Sequence, residues 1–210
     1  MFRRDIFALV AVALIGSVLT VYLAIGQTPF FPKSLETLSG DCPVRAFIPA
    51  HRRPVMDPFE ADWFASELLG LHEASLIPAK DGDRQSVRVT VLRSFHAPVT
   101  VRTIEMEDGR LRLVAKLGAG RDGCPDPAGC VVDRVLTETE RAGLSPIQAR
   151  LIRKAPHGCD GGPDGSRWIA EASGRGDYRF WSEWTPEDGD LHAMGMAMLD
   201  LTGWRFRELY

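Results

Sequence analysis

Near the C-terminal end of the chain two carboxylates, a guanidinium and an indole fall close together: Glu171, Arg179, Trp181 and Glu183. An indole flanked by charged groups suits a sugar ring or a partner peptide, because the ring face stacks while the charges take hydrogen bonds. A carboxylate in the same place also suits acid–base hydrolysis. On a strand, Tyr178, Phe180, Ser182 and Trp184 would share one face and Arg179, Trp181 and Glu183 the other. Trp181 is thus the aromatic with charged neighbours, and the remaining aromatics of the cluster are expected in the core.

Other chemistries are weaker matches. The run from Asp160 to Glu171 places Asp160, Asp164, Gly165 and Glu171 at EF-hand positions 1, 5, 6 and 12. Gly162 stands where a ligand belongs, however, and Ala-Ser-Gly-Arg-Gly after Glu171 cannot form the exit helix. Gly118, Gly120 and Gly123 match a dinucleotide-binding spacing, but Cys124 and Pro125 follow where a helix must open. The five histidines, His51, His72, His96, His157 and His192, form no pair at metal-ligand spacing. No Gly-x-Ser-x-Gly or Ser-x-x-Lys supplies a nucleophilic serine. The residues that could form a site assembled only by folding are His96, His157, Asp160 and Glu171. The sequence itself calls for no metal and no cofactor.

Four cysteines, Cys42, Cys124, Cys130 and Cys159, allow three pairings if the protein folds in an oxidising compartment. Cys124 with Cys130 and Cys42 with Cys159 is the expected set. The first closes a short loop contributing about 2 kcal/mol, the second a long one contributing at most about 5 kcal/mol.

The N-terminus supports that compartment. Residues 6 to 25, Ile6 to Ile25, are uncharged and apolar, and as a helix would be about 30 Å long, enough to cross a bilayer. Arg3 and Arg4 precede the run and no basic residue follows until Lys33, which places the N-terminus in the cytoplasm and the remainder outside. A signal peptide cleaved after Ala24-Ile25-Gly26, releasing a periplasmic or secreted protein, is the alternative, but the apolar run is longer than the usual signal core. The net charge of -3 with no clustered Lys and Arg excludes a nucleic-acid-binding surface.

The elements that position these residues read as one domain. Residues 1–26 are an anchor or signal, and residues 27–56, carrying Pro29, Pro32, Pro43, Pro49 and Pro54, an extended linker. Residues 57–210 are the folded domain. Asp57, Pro58 and Glu60 form the start signal of a helix reaching about residue 71. Strands are expected at 87–91, 99–106, 111–117, 131–137, 167–172 and 177–184, with a two-residue turn at Asp108-Gly109. Ser145, Pro146 and Gln148 resemble a second helix start, and Leu191, Met194, Met198 and Leu201 line a last helix ending at Gly203. The expected fold is α+β: one mainly antiparallel sheet with about three helices, preceded by an N-terminal transmembrane helix.

Asp164-Gly165, Trp168, Glu171, Tyr178 and Trp184-Thr185-Pro186 resemble a pattern of uncharacterised exported or membrane-anchored bacterial proteins, DG-x-x-W-x-x-E followed by Y and W-x-P. The resemblance extends loosely to residues 93–102 and carries no activity with it. It implies that these residues determine the fold, with Glu171 the polar member worth testing. The functional expectation is a membrane-tethered periplasmic domain without catalytic activity that contacts an envelope protein or glycan. The alternative is a small envelope hydrolase or carbohydrate-binding enzyme with a site near Glu171 and Trp181.

Overall fold

The computed structural model describes residues 29–42, 49–77, 84–120, 124–126, 130–159, 161–162, 164–206 and 208–209. A short 3-10 turn at Lys33–Glu36 leads into strands β1 (Ser39–Cys42) and β2 (His51–Pro54), which pair antiparallel. Helix α1 (Pro58–Gly70) follows, then strands β3 (Ser86–Arg93), β4 (Val99–Glu105), β5 (Leu111–Leu117) and β6 (Cys130–Val135). Helix α2 (Glu138–Ile152), β7 (His157–Gly158), β8 (Ser166–Gly174), β9 (Asp177–Trp184) and helix α3 (Gly189–Asp200) complete the described elements.

The expected single, mainly antiparallel sheet is not what forms. There is a seven-stranded mixed sheet of order β6-β5-β4-β3-β8-β9-β7 and a separate two-stranded sheet, β1-β2. The mixing comes from β7, which runs parallel to β9 through His157↔Trp181 and Gly158↔Ser182. A two-residue strand has no periodicity to betray it in a sequence. The expected transmembrane helix lies outside the described residues. Among the described residues, no helix is long and apolar enough to cross a membrane.

The expected linker is also corrected, because much of it is part of the fold. Its prolines do prevent a long helix, but Phe31, Leu35, Val55 and Met56 are buried with Phe64 and Leu68 of α1 and Phe180 of β9. Apolar side chains between the prolines, unread in the sequence, supply the burial that an extended tether lacks. The folded part therefore includes residues well before Asp57, Phe31 among them.

Alternation along the central strands sends Val87, Val89 and Val91 to one core with Leu144, Leu151, Trp168, Trp181, Met194 and Met198. Leu92, Ile169 and Phe180 go to the other, beneath α1. Helices α2 and α3 thus cover one face of the sheet, and α1 with the N-terminal segment covers the β3-β8-β9 part of the opposite face.

Local starts and stops follow mechanisms visible in the residues. Asp57 accepts from the Glu60 amide at 2.8 Å while the Glu60 carboxylate accepts from the Asp57 amide, the expected capping box with Pro58 inside it. Helix α2 starts earlier than expected: Thr137 and Glu140 form its capping box, and Pro146 sits inside the helix rather than opening it. Burial of Leu144, Gln148 and Leu151 at helical spacing offsets the amide hydrogen bond that Pro146 cannot make. The Arg134 guanidinium and the Thr137 hydrogen bonds hold the Glu140 carboxyl at about 2, well below its ordinary value. The β4-β5 turn is wider than two residues, with Met106 and Arg110 bonded and Gly109 at φ 77°. By contrast, Arg175 and Gly176, both at positive φ, make a two-residue β8-β9 turn and set the register Glu171↔Phe180.

The cysteines pair as Cys42–Cys159 and Cys124–Cys130, with Cα separations of 5.5 and 5.3 Å. Cys42–Cys159 staples the β1-β2 hairpin to the segment after β7. There the hairpin and the sheet edge approach so closely that a side chain at Gly158 would overlap the Val55 carbonyl. Replacing Cys42 and Cys159 together by Ser should lower stability by about 2 to 5 kcal/mol in denaturant unfolding, because the crosslink closes a loop of 117 residues. Replacing Cys124 and Cys130, six residues apart, should cost less.

Candidate functional site

The densest group of charges lies under α1 rather than on the surface. Register places Arg88 of β3 directly opposite Glu171 of β8 and, on its other side, opposite Arg102 of β4. Arg88 Nε donates to Glu171 Oε2 at 2.7 Å and Arg88 Nη2 to Glu171 Oε1 at 2.8 Å, a bidentate pair in which both side chains are fully buried. Arg88 Nη1 donates to Glu73 Oε2 at 3.2 Å and to the Ala74 carbonyl at 2.8 Å. Lys116 of β5 meets Glu73 Oε1 at 2.7 Å, and the Tyr178 hydroxyl donates to Glu171 Oε1 at 2.8 Å. The Phe30 ring lies 5.4 Å from the guanidinium carbon of Arg88.

Glu73 reaches this cluster through the end of α1. The His72 amide bonds to the Leu69 carbonyl and the Glu73 amide to the Leu68 carbonyl, a Schellman closure with His72 at φ 55°. That turn directs Glu73 back at the sheet. A position where glycine is usual is filled by an exposed histidine whose carbonyl accepts from Lys116 Nζ at 2.6 Å.

Burial pulls the Arg88 pKa down, but the charge and hydrogen bonds of Glu171 and the charge of Glu73 outweigh it and leave the pKa raised. Arg102 is lowered, by burial and by the like charge of Arg88 opposite it. The Tyr178 hydroxyl is raised well above its ordinary value, by burial first, then by the Glu171 charge and hydrogen bond. An arginine held charged, facing a carboxylate whose two oxygens accept three hydrogen bonds, is arranged to bind charge to charge rather than to move a proton. The cluster is a clamp from α1 to the middle of the sheet.

The candidate residues from the sequence part company here. Glu171 faces α1, whereas Trp181, opposite Ala170, faces α2 and α3, so the two lie on opposite sides of the sheet. Both are fully buried. A single site near Glu171 and Trp181 is therefore corrected by the alternation of the strands. Trp181 Nε1 donates to the Ala155 carbonyl at 3.1 Å; Arg179 Nη1 donates to the Ile152 carbonyl at the end of α2 and its Nε to Asp177. Glu183 pairs with His157 Nε2 at 3.0 Å at the sheet edge.

Folding does not gather the histidines around Glu171 either. His96 lies 3.9 Å from Glu208, His192 lies against Trp168 with ring centroids 5.5 Å apart, and His157 is with Glu183. Asp160 lies outside the described residues, and Glu171, engaged by Arg88, is no calcium ligand in this arrangement. Among the described residues, no group of three His, Cys, Asp or Glu could hold a metal. The residues of the sequence pattern serve the fold: Trp184 packs against Gly161, Gly162 and Gly165 and over Arg167, and Trp168 packs against Gly195 of α3. Arg88 and Glu73 were missed, although a lone arginine in the apolar strand Val-Arg-Val-Thr-Val signals a buried charge needing a partner.

Two surface features remain. A groove of about 820 Å³ runs between α1 and the N-terminal segment, lined by Pro29, Phe30, Ala61, Ala65 and Leu69 among others. On the outer side of α1, Phe59 is 76% exposed and Leu69 59%. At the far side of the sheet, edge strand β6 exposes Val131 at 63% and Val135 at 38%. No family model matches the chain, and no curated protein is significantly similar to it.

Two measurements check the clamp. His72→Gly should raise stability by about 0.5 to 1 kcal/mol in denaturant unfolding, because glycine adopts positive φ without the steric penalty and the Lys116 contact to the backbone is kept. Tyr178 is raised in the fold, so its contribution is complete below its unfolded pKa near 10.0 and is lost as pH climbs through the folded value. Unfolding free energy should therefore decline above about pH 10, and decline less steeply in Tyr178→Phe, when followed from pH 8 to 12.

Proposed function

We propose that the chain is a bacterial cell-envelope protein, held at the inner membrane by residues 6–25 with the described domain in the periplasm, that acts by contacting another envelope component rather than by catalysis. The apolar run behind Arg3 and Arg4 supports the location. Two disulfides support it independently, since such bonds persist in oxidising compartments.

The observation that carries the binding role is the β6 edge. Native edge strands are usually protected by charge, bulges or cover. Strand β6 carries one charge on its exposed face, Asp133, already paired with Arg112, and otherwise presents Val131 and Val135 there, on a strand whose neighbour on one side is β5 and which has no pairing strand on the other among the described residues. Such an edge suits a partner that adds a strand, with main-chain hydrogen bonds for affinity and valine contacts for specificity. The opposing reading, an enzyme built on Glu171 and Trp181, loses its support because the sheet separates the two.

Mild-detergent purification of the tagged full-length protein from its own membranes, followed by mass spectrometry, tests the proposal. A stoichiometric companion is expected, and it should be lost from a Val131→Lys, Val135→Lys variant with unchanged circular dichroism. A protein that emerges intact and alone would overturn the contact role. A companion retained by the valine variant would overturn the edge assignment.

A further inference from the structure

The packing of residues 29–56 alters the geometry of anchoring, and we infer that the outer face of α1, with the groove beside it, rests on the bilayer surface. The inference rests on the membrane attachment proposed above. The apolar run ends at Ile25, and by Phe30 the chain is already packed into the domain: Phe31 is buried, and the Phe30 carbonyl accepts from Ser75 Oγ at 2.6 Å. From Ile25 to Pro29 a fully extended chain reaches no more than about 14 Å. A run that ends in the bilayer therefore holds the Pro29 rim of the groove within about 14 Å of the hydrocarbon, about two headgroup layers' depth.

The surface found at that point is the one such apposition needs. Exposed Leu69 and part-exposed Phe30 line the groove together with Pro29, while exposed Phe59, with part-exposed Trp63 next to it, extends the apolar surface along the flank of α1 away from the groove. Phe59 and Trp63 lie 6.4 Å apart, centroid to centroid, so they form one patch. Aromatic side chains of this kind settle at the headgroup level of a membrane, with the apolar face of a helix sinking into the boundary. The charges at the groove are Lys33, Glu36 and Asp62, of both signs, which fits a zwitterionic surface rather than a strongly anionic one. The tether is thus too short to let the domain roam, and α1 docks it in one orientation. Helix α2 covers the opposite face of the sheet and is turned away from the contact.

The test uses the full-length protein in phosphatidylcholine vesicles, carrying a benzophenone amino acid in place of Phe59, of Leu69 or, as a control on the opposite face of the sheet, of the exposed Ala142 of α2. After irradiation, mass spectrometry reads lipid adducts. Adducts several-fold more abundant at 59 and 69 than at 142 are expected, and a Trp63→Ser, Leu69→Ser background should reduce those at 59 several-fold. Protein that floats with the vesicles but gives no excess of lipid adducts at 59 and 69, or gives protein–protein adducts there instead, would overturn docking while leaving membrane attachment standing. Protein that does not float with the vesicles would overturn the attachment itself, and docking with it.

Discussion

A guanidinium in the interior of a small sheet is tolerated only if its charge and its N–H groups are met, and the arrangement around Arg88 follows from that constraint. Glu171 meets it in the plane of the sheet, across one strand pair. The second carboxylate comes from outside the sheet, so α1 must end where Glu73 can turn inward, and it does so at the cost of positive φ at His72. Tyr178 and Lys116 add donors to the two carboxylates, and Phe30 covers the guanidinium, which draws the N-terminal segment into the same network. Four strands, one helix and the start of the domain are thereby tied to one buried ion pair.

A second set of contacts ties the hairpin to the same layer. Arg53 of β2 reaches both Asp57 and Glu60 at the start of α1, and Arg167 lies between the Phe64 and Trp184 rings. The Cys42–Cys159 bond joins the hairpin to the far edge of the sheet. The layer over β3, β8 and β9 is therefore fastened at both ends of α1, by charge, and along the hairpin, by a covalent link. What it leaves open is the β6 side of the sheet and the outer face of α1, where the proposed contacts with a partner and with the bilayer lie.

Much of this was legible where one local signal suffices. Asp57, Pro58 and Glu60 announced α1, valine alternation announced β3, and an even cysteine count behind an apolar N-terminal run led to the expectation of two disulfides. Signals that depend on distant partners were not legible. Prolines at 29, 32, 43, 49 and 54 masked the buried Phe31, Leu35, Val55 and Met56, whose environment is made by β9 and α1. Thr137 and Glu140 outcompeted Ser145 and Gln148 as a helix start because burial along α2 overrode Pro146. The separation of Glu171 from Trp181 depends on register: with the two-residue turn at Arg175-Gly176, Glu171 must pair with Phe180, and Trp181 must point the other way.

The central claim is that Arg88 and Glu171 act as a matched pair that organises the fold. Unfolding free energies of the wild type, Arg88→Met, Glu171→Leu and the double variant, measured by denaturant titration, test it most directly. Each single change should cost about 3 to 5 kcal/mol by stranding a buried charge, and the double variant should recover much of that loss. Single changes costing under about 1 kcal/mol, or losses that simply add in the double variant, would contradict the account.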